Sequence, residues 1–366
     1  MSLRISTCII FLAFLFSPFH CEEWISVGFW FPGIPISEIE STLFTHLVFC
    51  FVSINTSSFE TSLSPYISSF SNTVKAKNPS IKTLLSIRGQ EGYNLMVRDA
   101  SFRQIFIQSS FNVAKTYGFD GLDFYWDNQS VTQLDMNGMA TFLQEWRKAA
   151  NDINPELILT ATVRYSPNYT ESIMYPIESM EANLNWVHVK TFDYSTPSSS
   201  SKITAAPSAL HDPSNGLDTE HFIRQWIDKG LPKSRVVMGL ALYGFAWNLT
   251  DPDKDNANGI GTSANGVGET PHEWTGMITY KEIKARIQSS AGDVQYNATY
   301  VVNYWSQGST WIGFDDVEAV REMVSFAKRN KLLGYFLWQI SNDDNWQLSL
   351  AGHFSHILLA NTLLFF

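Results

Sequence analysis

Eight short apolar runs recur along the chain with helix-like segments between them, and this alternation limits the fold more than any other feature. The runs are WISVGFW, LFTHLVFCFV, IKTLLSI, FDGLDFYW, LILTATV, NWVHVKTF, RVVMGLAL and LGYFLWQI. Amphipathic stretches such as FRQIFIQSSFNVAKTYG, MATFLQEWRKAANDI and DVEAVREMVSFAKRNK fill several of the connections. Strands that alternate with helices imply parallel pairing, because each return to the same edge of a sheet needs a crossover. Eight such units predict an α/β chain folded as a TIM (β/α)8 barrel.

The last connection, from Asn248 to Leu332, is longer than one crossover helix requires. Its Gly/Asn/Asp-rich part, DPDKDNANGIGTSANGVGE, reads as loop, whereas ITYKEIKARIQ and ATYVVNYWSQGSTWIGF read as a helix and strands. A small α+β insertion domain at about residues 248–315 is therefore expected after the seventh strand, inside a barrel spanning residues 22–350.

Only 16% of the residues are charged and the net charge is -10, which argues against nucleic acid as a partner and favours a neutral ligand. Arg4 followed by CIIFLAFLF predicts a signal peptide over residues 1–21, hence a secreted protein of the extracellular space, cell wall or vacuole. Sequons at Asn55, Asn128, Asn168, Asn248 and Asn297 agree with glycosylation along that route. Cys8 falls in the signal, Cys21 at its edge and Cys50 in an apolar run, so no disulfide framework is expected and Cys50 reads as core. The C-terminal tail 351–366 ends in ILLANTLLFF, about half the ~20 residues of a membrane span. It reads as a terminal strand, an unstructured end, or a lipid-anchor signal behind Ser349, Ala351 and Gly352, and not as a transmembrane span. No cofactor and no metal is expected, and the protein is expected to be a monomer.

Along the fourth strand, GFDGLDFYWDNQS, alternate residues share a face, so Asp123, Tyr125 and Asp127 point inward while Leu122, Phe124 and Trp126 point outward. Polar groups aimed into a barrel at the C-terminal ends of its strands mark the usual place of a site. Asp123 and Asp127 are roughly 13 Å apart at ~3.3 Å per residue, beyond the ~5–9.5 Å of a two-carboxylate glycosidase pair. Asp127 with Asp193, from a different strand, stays open as a pair.

The chain resembles the plant class V chitinases of glycoside hydrolase family 18. The likeness runs through GFWFP, LFTHLVFCF, TLLSIRG, LYGFAWNLT, TWIGFDD and GYFLWQISNDD. The resemblance implies a fourth-strand motif Asp-Gly-x-Asp-x-Asp-x-Glu, in which the Glu protonates the glycosidic oxygen and the preceding Asp orients the substrate's own 2-acetamido group. It also implies a Met-x-Tyr-Asp segment after the sixth strand that grips this acetamido group, and Ser-x-Gly-Gly on the third. Against that pattern Asp123 is retained, Tyr125 stands for the middle Asp and Asp127 for the Glu. Lys190, Thr191, Phe192 and Asp193 stand for Met-x-Tyr-Asp, and Ser86, Ile87, Arg88 and Gly89 for Ser-x-Gly-Gly. Trp338 matches the family's barrel-floor tryptophan, with Trp30, Tyr243, Trp247 and Trp305 as further sugar-facing candidates beside Ser86, Phe192 and Asp193.

An Asp for a Glu retracts the acid by on the order of 1 Å, a misplacement that costs up to ~10²-fold. The change at Tyr125 is more severe, because a neutral phenol supplies no negative charge to a cationic intermediate, support commonly worth ~3–4 kcal/mol. These readings point to a chitinase-like protein that binds chitin or other N-acetylglucosamine glycans with weak or no hydrolysis. The alternative is an active chitinase-type glycosidase with Asp127 as general acid, and a third reading is an inhibitor or storage protein. A glycan on Asn128 would sit at the rim of the cleft.

Overall fold

The computed structural model of the chain describes residues 24–89, 91–126, 130–197, 202–252, 259–271, 275–290 and 294–362. The expected signal segment 1–21 with Cys8 and Cys21, the acid-position residue Asp127 and the sequon residue Asn128 lie outside them.

Seven strands come first: β1 (Ile25–Trp30), β2 (His46–Ser53), β3 (Lys82–Arg88), β4 (Gly121–Tyr125), β5 (Ile158–Val163), β6 (Trp186–Val189) and β7 (Val236–Ala241). The chain then leaves the barrel through β8 (Tyr243–Leu249), β9 (Ala264–Val267), β10 (Met277–Thr279), β11 (Gln295–Asn297), β12 (Val302–Gln307) and β13 (Thr310–Phe314). It returns as β14 (Gly334–Trp338). The barrel closes in the order β1-β14-β7-β6-β5-β4-β3-β2, all neighbours parallel. All eight apolar runs therefore become barrel strands, and the fold is the TIM barrel that their alternation predicts. The excursion forms a second, antiparallel sheet with the helix Tyr280–Gln288 beside it.

Local signals set the helices. Thr132 and Asp135 form a capping box at the start of the helix Gln133–Ile153, which then buries Met136, Met139, Phe142, Leu143 and Trp146. Phe142 meets the outward ring of Phe124 on β4 at 4.8 Å, which fastens this helix to the strand that carries the site. The carboxylates of Asp99, Asp218 and Asp316 cap three more helices. The C-terminal segment corrects one expectation: as far as Thr362 it is neither strand nor unstructured, since Gln347–Thr362 is a helix, and residues 363–366 lie outside the described residues. Among the described residues no helix is long and apolar enough to cross a membrane.

Parallel registry stacks the inward residues in layers. Ser86, Asp123 and Thr160 lie opposite one another on β3, β4 and β5, and two residues further on so do Arg88, Tyr125 and Thr162, with His188 of β6 beside Thr162. The same strands' outward residues, Leu122, Phe124 and Trp126 among them, enter the layer between barrel and helices. Cys50 is buried and free, as a core residue should be.

Candidate functional site

In the lower layer, Asp123 is wholly buried and its carboxylate is fully engaged. Oδ2 accepts from Ser86 Oγ at 2.7 Å and Thr162 Oγ1 at 2.9 Å, and Oδ1 accepts from Thr160 Oγ1 at 2.7 Å. His188 Nδ1 stands 3.1 Å from Oδ1. The indole N–H of Trp186 donates to His188 Nε2 at 2.8 Å, and because an indole only donates, Nε2 must be the acceptor. The Nδ1 side of the His188 ring is thus the one directed at Asp123. Burial alone would raise the Asp123 carboxyl, but the hydrogen bonds from His188, Ser86 and Thr160 outweigh it and hold the group below its ordinary value. Ser86, expected to touch substrate, is itself fully buried and spends its hydroxyl on Asp123.

One layer higher the chemistry changes. Tyr125 lies nearly parallel to Trp338, with centroids 5.6 Å apart and planes at 14°. Phe51 packs on Tyr125 at 4.8 Å, Phe31 meets Trp338 edge-on at 5.0 Å, and Phe192 tilts against Trp338 at 6.3 Å. Gly239 makes room for this, because a β-carbon there would come within 2.6 Å of Phe336 and 2.8 Å of Phe192. Into this floor comes Lys190, whose Nζ donates to the Tyr125 hydroxyl at 3.3 Å and sits 5.7 to 5.9 Å from the ring centres of Tyr125, Phe192 and Trp338. The exposed Arg88 guanidinium reaches over Phe51 at 5.8 Å and Tyr125 at 5.9 Å. Beside the floor, Tyr243 donates to Asp193 Oδ1 at 2.7 Å. Burial first, and then the Asp193 charge, push the Tyr243 phenol up, so it serves as a neutral donor. Asp193 takes a left-handed backbone, φ 65°, which turns the chain back at the barrel mouth.

Tyr125, Phe192, Asp193, Tyr243 and Trp338 therefore converge at the C-terminal end of the barrel. Other expected sugar-facing residues do not join them. Trp30 is 1% exposed and packs outside the barrel against Phe49 and Phe70, because it occupies an outward position of β1. Trp247 is buried in the second sheet against Trp311, and Trp305 is 1% exposed in the core. Of the sequons, Asn55 is exposed, whereas Asn168, Asn248 and Asn297 are half-buried.

Sequence reasoning passed over Thr160, Thr162 and His188. The signal was present: they alternate with apolar residues in LILTATV and NWVHVKTF, as Asp123 does in its own strand. It also passed over Asp315, a buried carboxylate that accepts from Ser208 Oγ at 2.6 Å through Oδ2 while Oδ1 has no hydrogen-bond partner among the described residues. Burial drives its pKa up to about 7. Among the described residues no group of three or more His, Cys, Asp or Glu is placed to hold a metal ion. Two roomy concavities, of about 710 and 640 Å³, lie away from this end, one between the helices Gln133–Ile153 and Ile177–Asn183 and one under the N-terminal ends of β1 to β3. Neither gathers the convergent polar and aromatic groups found at the mouth.

Comparison with known proteins bears on what this end of the barrel is for. The family described as "Glycosyl hydrolases family 18" matches residues 24–343. A class V chitinase of Arabidopsis thaliana is 37% identical over 343 residues, covering 89% of this chain and 88% of its own length. A mutant class V chitinase from Nicotiana tobaccum, solved in complex with NAG4, superposes with a TM-score of 0.87 at 36% identity, covering 91% of this chain and 99% of that one. A chitinase-like agglutinin from Robinia pseudoacacia superposes with a TM-score of 0.81 at 34% identity, covering 90% and 98%.

Proposed function

We infer, from the premise that the chain belongs to glycosyl hydrolase family 18, that it is a secreted, monomeric chitinase-like protein that binds N-acetylglucosamine oligosaccharides with little or no hydrolysis. One observation carries this reading. Four of the five positions at which the chain departs from the family's pattern, Arg88, Tyr125, Lys190 and Phe192, lie together around Trp338, linked by ring contacts, cation–π contacts and a hydrogen bond; the fifth, Asp127, lies outside the described residues. Isolated decay of a catalytic motif would leave gaps and orphaned polar groups, whereas these residues complete one another.

The chemistry follows from that cluster. Family 18 hydrolysis calls for a carboxylate at the position of Tyr125, close enough to orient the acetamido group and oppose the positive charge of the intermediate. A phenol bonded to an ammonium does neither. The motif carboxylate on β4, Asp123, is committed to three hydroxyls and an imidazole N–H. What the mouth still offers is suited to holding a sugar: the half-buried Trp338 for the apolar face of a pyranose, and the Tyr243–Asp193 pair for its polar edge. The name of the Robinia relative, an agglutinin on the same fold, supports binding as an outcome of this architecture. The exposed sequon at Asn55 supports passage through a glycosylating compartment.

Restoring the motif tests the reading. The variant Tyr125→Asp with Asp127→Glu is expected to raise chitohexaose hydrolysis by at least ~10²-fold from a wild-type rate near background. Substantial wild-type turnover that Asp127→Asn abolishes would instead establish a working glycosidase.

A further inference from the structure

The aromatic floor of the cleft is already occupied, and the occupant is part of the chain. Lys190 follows β6, and its backbone is pinned there by a hydrogen bond from its N–H to Val163 O at 3.1 Å. Its Nζ lies 5.7 Å from the Tyr125 ring centre, 5.8 Å from Phe192 and 5.9 Å from Trp338, with the Tyr125 hydroxyl 3.3 Å away. Among the described residues, three rings and one phenolic oxygen thus stand around one ammonium, the arrangement by which aromatic boxes hold cations. Two of those walls, Tyr125 and Phe192, and the occupant Lys190 are all among the residues at which the chain departs from its family's pattern, so box and occupant belong together.

We propose that Lys190 is the specificity-determining residue of this site: its ammonium fills the box, and an N-acetylated sugar lies flat on Trp338 only after that ammonium has been displaced. The inference rests on the saccharide-binding reading above. A pyranose stacking on Trp338 needs the volume over the ring that Lys190 now shares, and its N-acetyl group needs access to the Tyr243–Asp193 pair beside it. A neutral sugar ring offers the box no charge in exchange for the ammonium. Displacement therefore lowers affinity for chito-oligosaccharides, and it lowers it more than for a glycan that grips only the rim. Lys190 acts by occupying space and charge, without touching a reacting atom.

Calorimetric titration of the secreted protein with chitotetraose, and with cellotetraose as the sugar lacking N-acetyl groups, tests this in the wild type and in Lys190→Met, Lys190→Ala and Lys190→Arg. Thermal melting of each variant checks that it is folded. Emptying the box is expected to tighten chitotetraose binding on the order of tenfold in both the Met and Ala variants. Cellotetraose should gain less, and the Arg variant, which keeps a cation in the box, should stay near wild type. Wild-type binding that the Met and Ala variants leave unchanged or weaken would overturn the role of Lys190 and leave the binding reading standing. Absence of heat from wild type and all variants alike would overturn both.

Discussion

Two layers of the barrel interior, one residue pair apart on the same strands, have opposite characters. Below, Ser86, Asp123 and Thr160, joined by the side chains of Thr162 and His188 that reach Asp123 from the next register row, form a buried polar network. Above, Arg88, Tyr125 and Lys190, two residues further along β3, β4 and the end of β6, join Phe192 and Trp338 in a floor of rings and cations. The lower layer carries stability and position, since water does not reach it and no group in it is spare. The upper layer reaches solvent through the exposed Arg88 and the half-buried Lys190 and Trp338. The family's fourth-strand pattern calls for carboxylates in both layers; within β4 Asp123 supplies one and Tyr125 does not, and Asp127 lies outside the described residues.

Substitutions sharpen this contrast. The largest effect is expected from Asp123→Ala, which strands three hydroxyls and an imidazole N–H in a dry interior. It should cost about 3–5 kcal/mol in urea unfolding. If it costs no more than a change in the upper layer, the division between layers fails. Asp315 supplies a second buried carboxylate of the opposite kind. Its pKa of about 7 in the fold lies above its ordinary value, so between about pH 4 and 7 the folded chain holds a proton that the unfolded chain has lost. Stability must then fall as pH rises through that window, and the whole penalty is present above it. Asp315→Asn should accordingly stabilise the protein at pH 8, by up to ~4 kcal/mol, and change little at pH 4. The depressed Asp123 runs the other way, contributing stability above its ordinary pKa that is lost as pH falls through its folded value. Smaller still, Tyr125→Phe removes only the hydroxyl bonded to Lys190 and should cost about 1 kcal/mol. The smallest effect is expected from Arg88→Ala, an exposed cation over two rings, at about 0.5–1 kcal/mol by thermal unfolding.

The barrel was legible because eight apolar runs of strand length cannot be buried on both faces except by parallel neighbours and covering helices. Placement was legible where alternation and motif coincided: Asp123 and Tyr125 lie on the inner face of β4, and Tyr125 meets Trp338 at the barrel mouth. It was misread where aromatic identity stood in for direction: Trp30 and Trp247 look like sugar platforms until their strand parity and sheet are known, and both turn into core. Partnership was invisible as well. Nothing in the chain order says that Arg88, Tyr125, Lys190 and Phe192 meet, because the contacts arise from the registry of β3, β4 and β6 around a closed barrel. The role of Ser86 changed for the same reason, since only the pairing of β3 with β4 aims its hydroxyl at Asp123.

The central claim is binding without turnover, and a single sample can test it. Chitohexaose titrated into the wild-type protein in a calorimeter, then recovered and analysed by mass spectrometry, should give heat of binding and intact hexamer. Shortened oligomers appearing at a rate near that of an active class V chitinase would contradict the account, as would the absence of any heat.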